Sequence, residues 1–236
     1  MRVRVAFTPG EQVAAPLGIV IDVLRATSTI CQAFAAGFER IVCVGEVEEA
    51  RARSGPGVAL AGERGNLRPE GFDFGNSPRE FAEHHGAGTL VLTTTNGTRL
   101  LLAAAARCDA VVVASLLNLD AVTERVLAGG ADEVAILCAG VEGAFAVDDA
   151  YVAGVIAAAL AGEPDDAAAA AIRLARTFAS DEDGIGGGVS AANIRRVGLD
   201  QDIAWCARRS ALEVVPRVVE RVGATVALAA EPPIRG

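Results

Sequence analysis

The sequence predicts an α/β fold in which a largely parallel β-sheet lies between layers of helices, a layered α/β/α arrangement. Apolar segments of strand length alternate with helical patterns along most of the chain, which is typical of parallel strands joined by crossover helices. Hydrophobic residues make up 52% of the 236 residues and aromatic residues only 4%, so the core must consist mainly of Ala, Val, Leu and Ile. A chain of this length can bury one sizeable core.

Strands are predicted where short apolar runs are bounded by Gly, Pro or charged residues. In chain order they occupy residues 3–7, 18–23, 40–44, 57–61, 89–94, 110–114 and 133–138. Two shorter strands are expected near residues 213–215 and 224–229.

Helices are predicted between the strands where Ala and Leu recur at helical spacing. They occupy residues 26–36, 46–53, 77–84, 97–107, 118–128 and 148–161, and the C-terminal third is mostly helical, near 166–180, 190–197 and 200–209. The Gly-rich segment 180–189 is expected to be the most flexible. Residues 1–236 are predicted to form one compact domain, with possible lobes formed by about residues 1–85 plus the C-terminal segment and by about residues 86–165.

The composition excludes several functional classes. All 21 basic residues are Arg, so the lysine of a P-loop, a protein kinase or Schiff-base chemistry is absent. The net charge is −9 and no Arg run contains aromatics, so we expect no nucleic-acid partner. The five Cys are scattered without a C-x-x-C motif, which favours a reducing, cytoplasmic location. No apolar leader or membrane span is evident, so no membrane partner is expected.

Polar residues follow the second predicted strand in the segment IDVLRATST. Asp22 lies at the carboxyl end of this strand, and Arg25, Thr27 and Ser28 enter the next helix. Ligands of parallel sheets bind beyond the carboxyl ends of strands, and a helix N-terminus attracts anions. Arg25 adds a bidentate donor for an oxyanion, whereas Asp22 suits a metal ion or a proton. The alternative interpretation is a helix cap followed by an exposed arginine.

The segment VLTTTNGTR places hydroxyl and amide groups at the end of another strand. The candidate ligand groups are Thr94, Thr95, Asn96, Gly97 and Thr98. Gly97 permits a close approach of the backbone to a ligand. The alternative is that the threonines are ordinary strand residues and that Asn96 and Gly97 form a turn.

Acidic residues follow the strand at 133–138. Glu142 comes after this strand and Asp149 opens the next helix. A carboxylate pair at a strand end is suited to Mg²⁺, provided that this strand adjoins the first two. The alternative is that acids in a first helical turn stabilise the helix dipole. A zinc site is not expected, because the adjacent His84 and His85 lack the required spacing.

The irregular segment 61–78 is rich in Gly, Pro and charged residues, a composition typical of functional or mobile loops. Glu63 and Arg64 follow a strand directly, and Arg68 lies further along the segment. Asn76 and Ser77 are candidate site residues and also suitable caps for the helix that follows.

These segments together resemble the 2-phosphosulfolactate phosphatase (ComB-like) family. The resemblance rests on IDVLRATST, GERGNLRPEGFDFGNSP, TTTNGTR, CAGVEG with Asp148 and Asp149, and GLDQDIAWCAR, in the family's order. It implies Mg²⁺-dependent hydrolysis of 2-phosphosulfolactate to sulfolactate and phosphate, a reaction of coenzyme M biosynthesis. It also implies a family-specific α/β fold with the site in a cleft between two lobes, and a homodimer. The chain departs from the family's pattern at Ala144 and in segment 190–194, which lacks an expected arginine.

Chemistry assigns roles to the acidic and basic motif residues. Asp22, Arg25 and Glu63 are the predicted catalytic residues, with Glu63 as the base for an attacking water. Asp22 with Glu142 or Asp149 is predicted to hold Mg²⁺, which would neutralise charge on the transferred phosphoryl group. A covalent phosphate on Asp22 remains an alternative to direct attack by water.

The substrate is expected to be a small phosphorylated hydroxy acid. Arg64 or Arg68 is predicted to hold its carboxylate or sulfonate group. The full set of predicted substrate-binding residues is Thr27, Ser28, Arg64, Arg68, Asn76, Ser77, Thr94, Thr95, Asn96, Gly97 and Thr98. Two alternatives stay open: the same chemistry on another phosphorylated hydroxy acid, and a non-catalytic anion-binding regulatory module.

Overall fold

The computed structural model describes residues 1–231, which form one ten-stranded β-sheet with helices on both faces. The strands are β1 (Arg2–Ala6), β2 (Leu17–Ile21), β3 (Arg40–Val44), β4 (Val58–Gly62), β5 (Thr89–Thr93), β6 (Ala110–Ala114), β7 (Glu133–Cys138), β8 (Glu163–Pro164), β9 (Val215–Val222) and β10 (Thr225–Glu231). The predicted α/β/α fold with a largely parallel sheet is confirmed.

Helices connect most of the strands and fill the region between β8 and β9. They are α1 (Ala26–Ala35), α2 (Val47–Arg51), α3 (Pro78–Ala82), α4 (Gly97–Ala105), α5 (Leu119–Gly129), α6 (Val147–Leu160), α7 (Asp166–Ala175), α8 (Asp181–Gly186), α9 (Val189–Arg196) and α10 (Gln201–Cys206). Short 3₁₀ turns occupy Pro9–Glu11 and Leu116–Asn118.

The sheet consists of two parallel groups joined by an antiparallel hairpin. The strand order is β4-β5-β3-β10-β9-β6-β2-β7-β1-β8. The group β4, β5 and β3 is parallel within itself, as is the group β6, β2, β7, β1 and β8. Strands β9 and β10 pair antiparallel with each other. On the outer sides of this hairpin, β10 pairs antiparallel with β3 and β9 pairs antiparallel with β6. The last two strands of the described chain therefore lie at the middle of the sheet.

Apolar residues on both faces of the central strands explain how the sheet is covered. In β2, Ile19 and Ile21 pack into the cluster that contains α5 to α10, whereas Val20 packs into the cluster of α1 and α4. Because successive side chains of a strand point to opposite faces, this continuous apolar run requires a helical layer on each side. The burial of β2 thus fixes the strand end that carries Asp22 between the two layers.

The predicted strands and helices agree with the structure to within about three residues at each end, apart from four differences, the first being that the helix predicted near 166–180 ends at Ala175. Segment 180–189, expected to be flexible, contains α8, because the Ser180 hydroxyl caps the helix by accepting from the Asp183 N–H, 3.1 Å away. The strand expected near 213–215 begins at Val215 and continues to Val222, since it pairs with β10. Two-residue β8 was not predicted. The proposed division into two lobes stays a prediction.

Two properties of the described residues bear on the protein's environment. Within residues 1–231, no helix has both the length and the hydrophobicity needed to cross a lipid bilayer. All five Cys are buried free thiols: Cys31, Cys43, Cys108, Cys138 and Cys206. Burial raises the pKa of Cys31, Cys43 and Cys206 to about 12, so these thiols are protonated and poorly reactive at neutral pH.

Candidate active site

A polar cavity of about 130 Å³ lies where four loops from the sheet meet helix α9. The loops follow β2, β4, β5 and β7. The lining residues are Asp22, Leu24, Arg25, Glu63, Gly65, Asn66, Asn76, Thr95, Asn96, Val141, Glu142, Ser190 and Asn193. This convergence places seven sequence-predicted site residues around one volume: Asp22, Arg25, Glu63, Asn76, Thr95, Asn96 and Glu142.

Asp22 is a buried carboxylate directly after β2. Its Oδ1 atom accepts a hydrogen bond from the Ala26 N–H, 3.3 Å away, and the Gly97 N–H also bonds to the carboxylate. Burial, followed by repulsion from the nearby carboxylates of Glu63 and Asp148, raises the pKa of Asp22 to about 7. A cation in the cavity would relieve this repulsion and favour the ionised form.

Arg25 begins the turn into α1, and its guanidinium group is almost completely buried. Nη1 donates to Asp202 Oδ2 at 2.7 Å, and Nη2 donates to the Asn66 backbone oxygen at 3.1 Å. The third guanidinium nitrogen, Nε, has no hydrogen-bond partner. Among the described residues, Arg25 is the one basic side chain of the cavity wall. It is therefore the group best suited to bind an oxyanion there.

Glu63 is held rigidly at the end of β4. Its Oε1 accepts from the Thr95 N–H at 2.7 Å, and its Oε2 accepts from the Asn66 N–H at 2.9 Å. These bonds tie the loop after β4 to the loop after β5 and leave the carboxylate on the cavity wall. Each carboxylate oxygen retains a further acceptor site, so Glu63 can still accept a proton.

The hydroxyl groups of Thr27, Ser28, Thr94 and Thr98 bond within the loops rather than line the cavity. Thr27 donates to the Asp22 backbone oxygen at 2.9 Å, and Ser28 donates to the Val23 backbone oxygen at 2.8 Å. The Thr94 and Thr98 hydroxyls lie 3.1 Å apart and bond to each other. These four residues shape the loops that carry Asp22 and Asn96.

The two predicted sulfonate-binding or carboxylate-binding arginines are directed away from the cavity wall. Arg64 donates to the backbone oxygens of Glu63 and Gly45 and to the Thr93 hydroxyl, at 2.7 to 3.0 Å. Arg68 donates to the Asp73 backbone oxygen at 3.1 Å. Neither lines the cavity, because the Arg64 guanidinium bonds to backbone carbonyl groups of the long loop and of the loop after β3, and the Arg68 guanidinium bonds to a carbonyl group of the long loop.

Asp149 connects two loops and does not line the cavity. Its Oδ1 accepts from the Val23 N–H and its Oδ2 accepts from the Gly140 N–H, both at 2.9 Å. Burial, together with the charges of Asp148 and Asp22, holds the pKa of Asp149 well above its usual value. Of the three predicted metal ligands, the structure brings Asp22 and Glu142 to the cavity.

Hard oxygen donors are nevertheless concentrated at the cavity. The Oδ1 atom of Asn76 is buried without a hydrogen-bond partner, and Asp22 lines the same volume. Among residues 1–231, no three His, Cys, Asp or Glu side chains are grouped to hold a metal ion. Mg²⁺ often takes only one or two carboxylates and completes its shell with water and substrate phosphate. The donor set of Asp22 and Asn76, with Glu142 at the rim, therefore fits Mg²⁺.

Three residues on the C-terminal helices that line or support the cavity were missed by sequence reasoning because they do not follow strands. Ser190 and Asn193 project from α9 into the cavity lining, and Ser190 donates to Asp148 Oδ1 at 3.0 Å. Asp202 on α10 pairs with Arg25 and also accepts from the Ser77 hydroxyl at 2.7 Å. Asp202 lies in GLDQDIAWCAR, one of the segments that carry the family resemblance, whereas Ser190 and Asn193 lie in segment 190–194, where the chain departs from the family's pattern.

Known proteins resemble the chain over nearly its full length. A family model described as "2-phosphosulpholactate phosphatase" matches residues 4–221. A "probable 2-phosphosulfolactate phosphatase" of Thermus thermophilus is 40% identical over 229 residues, which cover 94% of this chain and 97% of that protein. A "2-phosphosulfolactate phosphatase" of Methanothermobacter thermautotrophicus is 39% identical over 218 residues, 92% of each chain. The matched region contains every residue that lines the cavity.

Proposed function

The chain belongs to the 2-phosphosulfolactate phosphatase family, and we propose on this basis that it hydrolyses 2-phosphosulfolactate to sulfolactate and phosphate. The single observation that carries the proposal is the cavity in which Asp22, Arg25 and Glu63 converge. Its volume of about 130 Å³ suits a small phosphorylated acid. As a member of this family, the protein is a phosphoric monoester hydrolase.

Arg25 is the proposed ligand of the phosphoryl oxygens. Its Nε atom is buried and unpartnered, while its two other nitrogens are fixed by Asp202 and Asn66. A phosphoryl oxygen would supply the missing acceptor, and a fixed guanidinium stabilises charge as it develops in the transition state. Thr95 and Asn96 line the wall on the β5 side and complete the proposed phosphate subsite.

Glu63 is the proposed base that accepts a proton from the attacking water. Its two hydrogen bonds from the Thr95 and Asn66 N–H groups fix the orientation of the carboxylate. A base must lie within hydrogen-bond reach of the water, and a fixed orientation preserves this geometry. When the P–O bond breaks, the ester oxygen takes up a proton from solvent to become the hydroxyl of sulfolactate, and Glu63 returns the proton of the attacking water to solvent.

Mg²⁺ is the proposed cofactor, held by Asp22 and Asn76 with Glu142 at the rim. When bound, it would neutralise negative charge on the phosphoryl group. The residues themselves favour a cation, because three carboxylates, those of Asp22, Glu63 and Glu142, line a cavity with one arginine. A multiply charged anionic substrate would be repelled without a cation.

The second acidic group of the substrate is proposed to contact neutral donors. Asn66 and Asn193 line the cavity, whereas Arg64 and Arg68 satisfy backbone carbonyl groups elsewhere. Amide N–H groups can bind a sulfonate or carboxylate without a full positive charge. The α9 side of the cavity is therefore the proposed position of this group.

Two properties of the whole protein are also proposed. The protein is proposed to be cytoplasmic, which the five buried free thiols support. It is proposed to be a homodimer, which light scattering after gel filtration would test.

Phosphate release by the purified protein tests the proposed reaction. The substrates are 2-phosphosulfolactate, 2-phospholactate, 3-phosphoglycerate and phosphoenolpyruvate, each with Mg²⁺ and with EDTA. We expect selective turnover of 2-phosphosulfolactate that EDTA abolishes. Faster turnover of another ester would support the proposed phosphatase reaction but would identify that ester as the substrate instead of 2-phosphosulfolactate. Phosphate binding without turnover of any ester would favour the regulatory anion-binding module.

A further inference from the structure

Asp202 lies outside the cavity but contacts two segments that form its wall. It is fully buried on α10, and its Oδ2 accepts from Arg25 Nη1 at 2.7 Å. Its other oxygen, Oδ1, accepts from the Ser77 hydroxyl at 2.7 Å. Arg25 and Asp202 are separated by 177 positions in the sequence, so this contact joins the start of α1 to α10.

The ion pair fixes the direction of the Arg25 guanidinium. Arginine has a long side chain with several rotatable bonds, and an unpaired guanidinium loses considerable conformational entropy when it binds an anion. Asp202 and the Asn66 carbonyl occupy Nη1 and Nη2, which leaves Nε as the unpartnered donor. The binding direction is thus set before any ligand arrives.

The second oxygen of Asp202 anchors the loop that carries Asn76. Ser77 follows Asn76 directly, and the Thr29 hydroxyl donates to the Asn76 backbone oxygen at 3.0 Å. Asn76 is 5% exposed and its Oδ1 atom has no partner. One carboxylate therefore orients both a donor, Arg25 Nε, and the loop that presents an acceptor, Asn76 Oδ1.

We propose that Asp202 is a positioning residue that orients Arg25 and the Asn76 loop for binding of the phosphoryl group. The proposal rests on the proposed phosphatase function and deepens it. It also assigns the C-terminal helices a part in the reaction, since without α10 the phosphate-binding arginine would lack its fixed direction.

The first test compares Asp202→Asn with Asp200→Asn. Asp200 is an exposed acid two positions away, so its variant removes the same charge from the same segment. Misplacing a catalytic group by about 1 Å costs on the order of a hundredfold in rate. We expect Asp202→Asn to lower kcat/KM roughly ten- to hundredfold and to weaken binding of inorganic phosphate, measured by calorimetry, whereas Asp200→Asn retains wild-type values.

Asp202→Asn leaves the buried Arg25 guanidinium without its anion, and this variant can therefore fail to fold. A second test does not depend on that variant. Arg25→Ala and the double variant Arg25→Ala/Asp202→Asn are assayed with millimolar guanidinium ion. We expect guanidinium to restore part of the activity of Arg25→Ala, because Asp202 still provides the anion that orients it. The double variant should show no comparable rescue.

The outcomes separate this proposal from the proposed function. Active wild-type protein with an unchanged Asp202→Asn variant, or equal rescue of both Arg25 variants, would overturn the positioning role alone. Wild-type protein that neither hydrolyses the four esters nor binds phosphate would overturn both proposals. A purely structural role would lower thermal stability but would give no difference in rescue between the two Arg25 backgrounds.

Discussion

Gly97 lies so close to Asp22 that a methyl group added to the glycine would come within 2.7 Å of the Asp22 Oδ2 atom. The same methyl group would come within 2.5 Å of the Ala26 Cβ atom. The strands that precede these residues, β5 and β2, are separated in the sheet by four other strands. Their carboxyl ends nevertheless meet, and glycine at position 97 is what permits the contact.

A Gly97→Ala variant should lower both stability and activity. Overpacking of this kind costs about 1–3 kcal/mol, and displacement of Asp22 should reduce kcat at least tenfold. Urea unfolding and phosphate release measure the two effects. Gly129→Ala is the matched control, because a methyl group at position 129 would meet no atom within 4 Å. Equal kcat values in Gly97→Ala and Gly129→Ala would show that the close contact between Gly97 and Asp22 is not needed for activity.

Asp22→Asn should lower kcat on the order of a hundredfold, as expected for loss of one electrostatic group of an active site. The amide also removes the negative charge that would attract Mg²⁺, so the Mg²⁺ concentration for half-maximal activity should rise. Initial rates over a Mg²⁺ titration measure both quantities, with the exposed Asp109→Asn as a control. Wild-type turnover in Asp22→Asn would exclude the proposed role.

Asn193→Ala should raise KM for 2-phosphosulfolactate roughly tenfold or more, because one hydrogen bond to a charged group, about 1.5–3 kcal/mol, is lost. A simple phosphomonoester without a second acidic group should show no such change. Steady-state kinetics on the two substrates measure the difference. If Arg68→Ala raises KM instead, the arginine holds the second acidic group, as the sequence predicted.

Asp149→Ala should destabilise the protein because it leaves the N–H groups of Val23 and Gly140 without their acceptor. Each unsatisfied buried donor costs about 1–3 kcal/mol. Urea unfolding measures this loss. Unchanged stability together with a much higher Mg²⁺ requirement would instead identify Asp149 as a metal ligand.

The Asp181 carboxylate should contribute acid-sensitive stability. Burial opposes its ionisation, but hydrogen bonds from Arg209 and Tyr151 outweigh burial and lower the pKa of Asp181 below 3.8. A lowered folded-state pKa means that the stabilisation is present above 3.8 and is lost as the pH falls through the folded-state value. Because the pair is partly exposed, the contribution is about 0.5–1 kcal/mol.

Urea unfolding at pH 7 and pH 3 measures this effect. We expect Asp181→Asn to lower stability at pH 7 and to have less effect at pH 3. An equal loss at both values would contradict the assignment to ionised Asp181.

The sequence predicted individual elements better than their arrangement. Strands β6 and β7 have the predicted bounds, because their apolar runs are local signals. The strand order was not predicted, because β9 and β10 insert between β3 and β6 through contacts that are distant in sequence. The hydrophobic pattern of a strand predicts that the strand forms, but it does not indicate which other strand will pair with it.

In the candidate site, too, features that depend on local sequence were predicted, whereas contacts between distant segments were not. Asp22, Glu63 and Asn96 were found because each follows an apolar strand. The orientation of Thr27 was not predictable, since its hydroxyl bonds to the carbonyl group of Asp22. Asp202 was missed because its role depends on Arg25, which only the folded chain brings next to it.

The central hairpin has a consequence for how the protein is made. Ribosomes synthesise the chain from its N-terminus, so β9 and β10 emerge after every other described strand. Until then the nascent chain lacks the hairpin that makes one continuous sheet of the two parallel groups, one carrying Glu63 and the other Asp22. Long-range pairings of this type form slowly and leave sheet edges exposed in the meantime. The enzyme is therefore expected to become active only after release from the ribosome, and a chain that stops before Val215 should depend on chaperones to avoid aggregation.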